Sequence, residues 1–99
     1  PAHQRDALLA ALRARLDGAL EVGPADAGMH LTVTFPRGVE DEIVARRLPY
    51  PEAGQARLSG HYLGPPRRQG LLLGFSHAHE GQIRRDVGLL AQALDRPSR

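Results

Sequence analysis

The chain has 99 residues, 41% hydrophobic and 24% charged, with a net charge of +2 and no cysteine. That length fits one small domain with a single core and excludes two lobes around a cleft. The missing cysteines exclude disulfide frameworks, thiolate metal sites and cysteine nucleophiles. All 13 basic residues are arginine, so no lysine amine is present for Schiff-base chemistry. The arginine bias, with many alanines and leucines, points to a GC-rich bacterial genome. No stretch is long and apolar enough to span a membrane, and the N-terminus carries no signal-peptide pattern, so a cytoplasmic protein is expected.

Residues 5–16 predict an amphipathic helix, because Leu8, Leu12 and Leu16 recur every four residues and Leu9 widens the stripe. Gly18 is its expected stop. "ALEV" (19–22) reads as a short strand and "GPADAG" (23–28) as a turn. "MHLTVTF" (29–35) is the clearest strand, with Met29, Leu31, Val33 and Phe35 alternating against His30, Thr32 and Thr34.

After the turn "PRG" (36–38), residues 39–48 read as a helix with Val39, Ile43, Val44 and Leu48 facing inward. Its early acids, Glu40, Asp41 and Glu42, and its late Arg46 and Arg47 suit the helix dipole. Pro49 and Pro51 end it. "QARLS" (55–59) is a weak strand, and "GHYLGPPRRQG" a loop leading into "LLLGF" (71–75), a central strand. A last helix follows, with Ile83, Val87, Leu90 and Leu94 on one face and Ser76 or His77 near its start. The order α-β-β-α-β-β-α predicts an α+β two-layer sandwich: a small, mainly antiparallel sheet of three to four strands with about three helices.

Candidate chemistry is sparse. His77, His79 and Glu80 read as a solvated helix start in preference to a metal site. His30 reads as a structural histidine on its strand. Glu40-Asp41-Glu42 reads as a charged helix start, not an acid/base pair. No G-x-S-x-G elbow, P-loop or G-x-G-x-x-G occurs. Four aromatic residues are too few for a base-stacking sheet. Arg67 and Arg68 could meet a carboxylate or phosphate bidentately.

"GHYLGPPRRQGLLLGFSHAHEGQIRRDVGLLAQAL" resembles the C-terminal end of MocR-type regulators of the GntR superfamily. "RDALLAALRARL" and "ADAGMHLTVTFPRGVEDEIVARRL" resemble the opening helix, hairpin and next helix of their small domain, so the likeness covers nearly the whole chain. It implies that residues 1–99 form the C-terminal small domain of a fold-type-I aminotransferase-like body. In such regulators pyridoxal 5'-phosphate sits on a lysine of a large domain, and an N-terminal winged helix contacts DNA. This chain would hold no cofactor itself. Its implied partners are the large domain, an amino-acid-like or vitamin B6 effector, and DNA only through the winged helix, in a homodimeric parent. No catalytic residue is expected here. Arg67 and Arg68 are the candidates for an effector or substrate carboxylate, and His61 and Tyr62 for the pocket lining. Many class I/II aminotransferases carry an arginine in the strand before the phenylalanine, where this chain has Leu72. A small domain of a true aminotransferase, and a free-standing α+β binding or dimerisation module, are the alternatives.

Overall fold

The structure is a computed structural model that describes residues 2–26, 29–65, 67–76 and 78–95. Helix α1 (Ala2–Leu16) turns its leucine stripe inward, burying Leu8, Leu12 and Leu16. Gly18 follows with φ +83°, a left-handed position that glycine takes without a steric penalty. Strand β1 (Glu21–Asp26) pairs antiparallel with β2 (His30–Thr34), which pairs antiparallel with β3 (Gly70–Gly74). The sheet order is β1-β2-β3, so β2 is central and β3 is an edge. The "LLLGF" run therefore forms an edge strand, where a central one was expected.

The expected turn at 23–28 is mostly strand. β1 continues through Gly23 and Pro24 because the register shifts between Val22 and Ala25, forming a bulge. A bulge on an edge strand tolerates proline, whose missing N–H removes no ladder bond there. The remainder of that turn, residues 27 and 28, lies outside the described residues.

Helix α2 (Asp41–Arg46) is shorter than the 39–48 span expected from the sequence. It buries Asp41, Val44 and Ala45, while Val39, Ile43 and Leu48 are only half-buried. The expected strand at 55–59 is absent: 3-10 helix runs over Pro51–Ala56 and Leu58–His61. The segment's one backbone pairing with the sheet among the described residues is an isolated bridge, Arg57 to Leu71. Prolines and Gly54 shape this segment into tight turns, and "QARLS" lacks the β-branched residues that favour a strand.

Helix α3 (Glu80–Asp95) packs on α1 and buries Ile83, Val87, Leu90 and Ala93, with Leu94 half-buried. His77, an expected start residue, lies outside the described residues. His79 caps the helix instead: its Nδ1 accepts the Gln82 N–H at 3.2 Å. This single ring nitrogen satisfies one of the first-turn donors that a helix cannot pair internally. At the other end of the chain's core, Arg47 donates to the Ala93 carbonyl at 2.8 Å and ties α2 to α3.

The result is two layers. Leu31, Val33, Leu71 and the flanking Phe35 and Phe75 join the helices in one buried cluster. Cross-strand pairing puts Thr32 opposite Leu72 and Thr34 opposite Gly70 on the other sheet face. His30, exposed, lies opposite Gly74 on that face. Among the described residues no helix is long and apolar enough to cross a membrane.

Candidate functional site

Among the described residues Asp41 is the one charged side chain that is buried, at 0% exposure. A carboxylate removed from water is costly unless its lone pairs are filled. Here Oδ2 accepts the Ser59 N–H at 2.9 Å and the Gly70 N–H at 3.1 Å, and Oδ1 accepts the Ser59 hydroxyl at 2.6 Å. The backbone N–H of Asp41 in turn donates to Gln69 Oε1 at 2.8 Å. One carboxylate therefore holds both ends of the segment 59–70 and closes it at its base.

Gly70 makes this closure possible. A Cβ there would overlap the Val33 carbonyl oxygen and lie 3.0 Å from the Thr34 Cα, so β3 can begin this close to β2 only with glycine. The loop between the clasped ends rises away from the core. Tyr62 is half-buried, Leu63 is fully exposed, and Gly64, Pro65, Arg67 and Arg68 are exposed.

The four sequence-predicted residues separate into two groups. Tyr62 and Arg67 line one shallow concavity with Gly64 and Pro65. Arg67 makes no side-chain hydrogen bond or ion pair among the described residues. Arg68 turns the other way, over the open sheet face, and donates to Thr34 Oγ1 at 2.8 Å and Glu21 Oε1 at 2.9 Å. His61 is exposed, with Nε2 3.2 Å from the Gln55 carbonyl oxygen. The geometry thus joins Tyr62 to Arg67 and leaves His61 and Arg68 outside their concavity. Leu72, at the aminotransferase arginine position, sits half-buried opposite Thr32.

The expected helix-start cluster is divided as well. His79 caps α3, and Glu80 pairs with His3 Nε2 at 2.7 Å and with Arg84 at 3.6 Å. Among the described residues no group of three histidines and carboxylates could hold a metal ion.

Two features escaped the sequence reading. The first is the Asp41 clasp, since by sequence Asp41 is one of three acids at a charged helix start. The second is a cavity of about 370 Å3 along the free edge of β3, between the 3-10 segment 51–56 and α3. On its wall, the Tyr50 hydroxyl donates to Asp86 Oδ1, which also accepts from Gln82 Nε2 at 2.8 Å. Burial raises the Tyr50 phenol from 10.0 to about 12, helped by the hydrogen bond to Asp86 and by its negative charge. The one sequence signal for this site is the tyrosine between Pro49 and Pro51, the two prolines expected to end the second helix.

In comparisons with known proteins, no family model matches the chain and no curated protein matches it.

Proposed function

We propose that this chain is the C-terminal small domain of a pyridoxal-phosphate-dependent, aminotransferase-like regulator of the MocR type. The clasped loop would then face an effector carboxylate held at the large domain. The observation that carries this reading is Arg67: an exposed guanidinium without a partner among the described residues, on a loop anchored at both ends by Asp41. A guanidinium matches a carboxylate bidentately, and a loop closed at its base spends less conformational entropy in meeting one. Tyr62 on the same concavity adds an aromatic wall.

The chain's own residues do not fit the covalent attachment of pyridoxal phosphate, since it has no lysine. Its contribution is to orient and desolvate the effector's carboxylate end. The large domain would supply the cofactor, a winged helix the DNA contact, and a second copy of the parent the dimer, in the cytoplasm. The effector class is an amino acid or a B6-like molecule. Leu72 in place of the aminotransferase arginine favours a regulator over an ordinary α-amino-acid aminotransferase.

The test begins with the reading frame upstream of Pro1, where a winged helix followed by an aminotransferase body is expected. In that longer protein loaded with pyridoxal phosphate, Arg67→Ala should weaken amino-acid binding by about tenfold or more. Arg68→Ala should change it far less, because Arg68 is already engaged with Glu21 and Thr34. An upstream frame with neither domain, or unchanged binding by Arg67→Ala, would sink the proposal. The first of these outcomes would favour a free-standing binding module.

A further inference from the structure

The cavity on the free edge of β3 is separate from the loop and owes nothing to the functional reading above. Its floor is the core itself: Leu8, Leu71, Val87 and Leu90, all buried. Its walls are also mostly apolar, with Leu48, Ala53, Ala56 and Leu73. At about 370 Å3 it falls in the range of small-molecule pockets, which pair an apolar lining with a few placed polar groups.

Those polar groups have a definite bias. The Tyr50 hydroxyl is committed to Asp86 Oδ1, and Gln82 Nε2 donates to the same oxygen. Gln82 Oε1 is occupied by Arg85, whose guanidinium lies 2.8 Å away on the exposed side of the helix. Of the side-chain donors on the wall, only the second N–H of Gln82 Nε2 is unengaged among the described residues. The charged part of the spare hydrogen-bonding capacity belongs to acceptors: the second oxygen of Asp86, and Glu52, which lines the cavity and makes no ion pair among the described residues. Two carboxylates face one guanidinium, so the local charge is negative. An apolar floor below unfilled, negatively charged acceptors complements a molecule with an apolar tail and a charged N–H donor.

We propose that this cavity binds small organic ammonium ions, with the apolar tail on Leu71, Val87 and Leu90 and the ammonium at Asp86 and Glu52. A neutral alcohol with the same tail could satisfy one acceptor only. A carboxylate would be repelled by both.

The test is an amide-resolved NMR titration of the 99-residue chain with hexylammonium, hexanol and hexanoate. Hexylammonium should produce saturable shifts at Leu72, Leu73, Gly74 and Ala56, and bind about tenfold more tightly than hexanol. Hexanoate should bind least. Asp86→Asn keeps an oxygen for Tyr50 and Gln82 and should erase most of the preference for the ammonium without weakening hexanol. Glu52→Gln, at an exposed position, should reduce the same preference and serves if Asp86→Asn fails to fold. Ala56→Leu, which fills the wall, should reduce binding of all three probes. Equal affinity for the three would overturn the proposal by reducing the cavity to an unselective apolar dent. So would the absence of saturable shifts, or shifts of the same amides with protein concentration alone, which would show a second copy filling the groove.

Discussion

At the base of the segment 59–70, Asp41 is wholly buried and accepts three hydrogen bonds. A few residues along the same segment, Leu63 and Arg67 stand in solvent. The base has its polar groups saturated internally, so it has nothing left to offer a ligand. The tip differs: Arg67 has no side-chain partner among the described residues, because the loop's position is set elsewhere. Rigidity and availability are thus divided between the two ends of one loop. The division explains how a short, glycine- and proline-rich loop can present an arginine at a defined place without using that arginine to hold itself there.

Breaking the base should cost most. Asp41→Ala strands the Ser59 N–H, the Ser59 hydroxyl and the Gly70 N–H without their acceptor, and should lower unfolding stability by roughly 3 kcal/mol or more. Urea denaturation measures this, and Asp41→Asn, which retains one acceptor oxygen, should lose less. Gly70→Ala attacks the same base sterically. With a Cβ overlapping the Val33 carbonyl, β2 and β3 must separate, at a cost of about 1–3 kcal/mol. A substitution at Asp41 as mild as one at the tip would mean that the base does not hold the loop.

The Tyr50–Asp86 contact is intermediate. Tyr50→Phe should cost about 1 kcal/mol, since Asp86 keeps its bond from Gln82. The pH dependence has a definite sign. The folded phenol, at about 12, lies above its ordinary value of 10.0, so the contact contributes fully below pH 10. That contribution is lost as the pH rises through about 12. Tyrosinate absorbance of the Tyr62→Phe chain, which leaves Tyr50 as the sole tyrosine, should show its rise near 12 and not near 10.

The tip should be nearly silent in stability. Arg68→Ala removes an exposed ion pair with Glu21 and should cost about 0–1 kcal/mol, falling further at high salt. Arg67→Ala should stay within about 0.5 kcal/mol of the parent chain. A larger loss at Arg67 would reveal an internal role and remove the contrast between base and tip.

Helices α1 and α3 and strand β2 were legible because their patterns repeat over a few residues. Leucines four apart in α1, the alternation across 30–34 and the stripe in α3 each name a buried face from local spacing alone. The misreadings fall where one residue's neighbours lie far along the chain. Whether "QARLS" became strand or 3-10 helix depended on whether its edge could pair with β3, and only Arg57 does so. Ile43 and Val44 are indistinguishable by type, and it is Val44 that joins the buried core cluster.

Asp41 makes the same point for the site. In sequence it is one of three consecutive acids, with nothing to separate it from Glu40 or Glu42. Its partners lie 18 and 29 residues away, and they converge on it only after α2 and β3 are in place. Likewise, adjacent Arg67 and Arg68 were equivalent candidates until the sheet supplied Thr34 and Glu21 to one of them. Composition and periodicity by themselves determined an α+β domain, its main buried faces and the absence of a lysine for Schiff-base chemistry. The tertiary structure alone decided which acid is buried, which of the two adjacent arginines is engaged with Thr34 and Glu21, and where the cavity opens. Hydrophobic periodicity is a property of neighbours in sequence, whereas the saturation of a polar group is a property of neighbours in space.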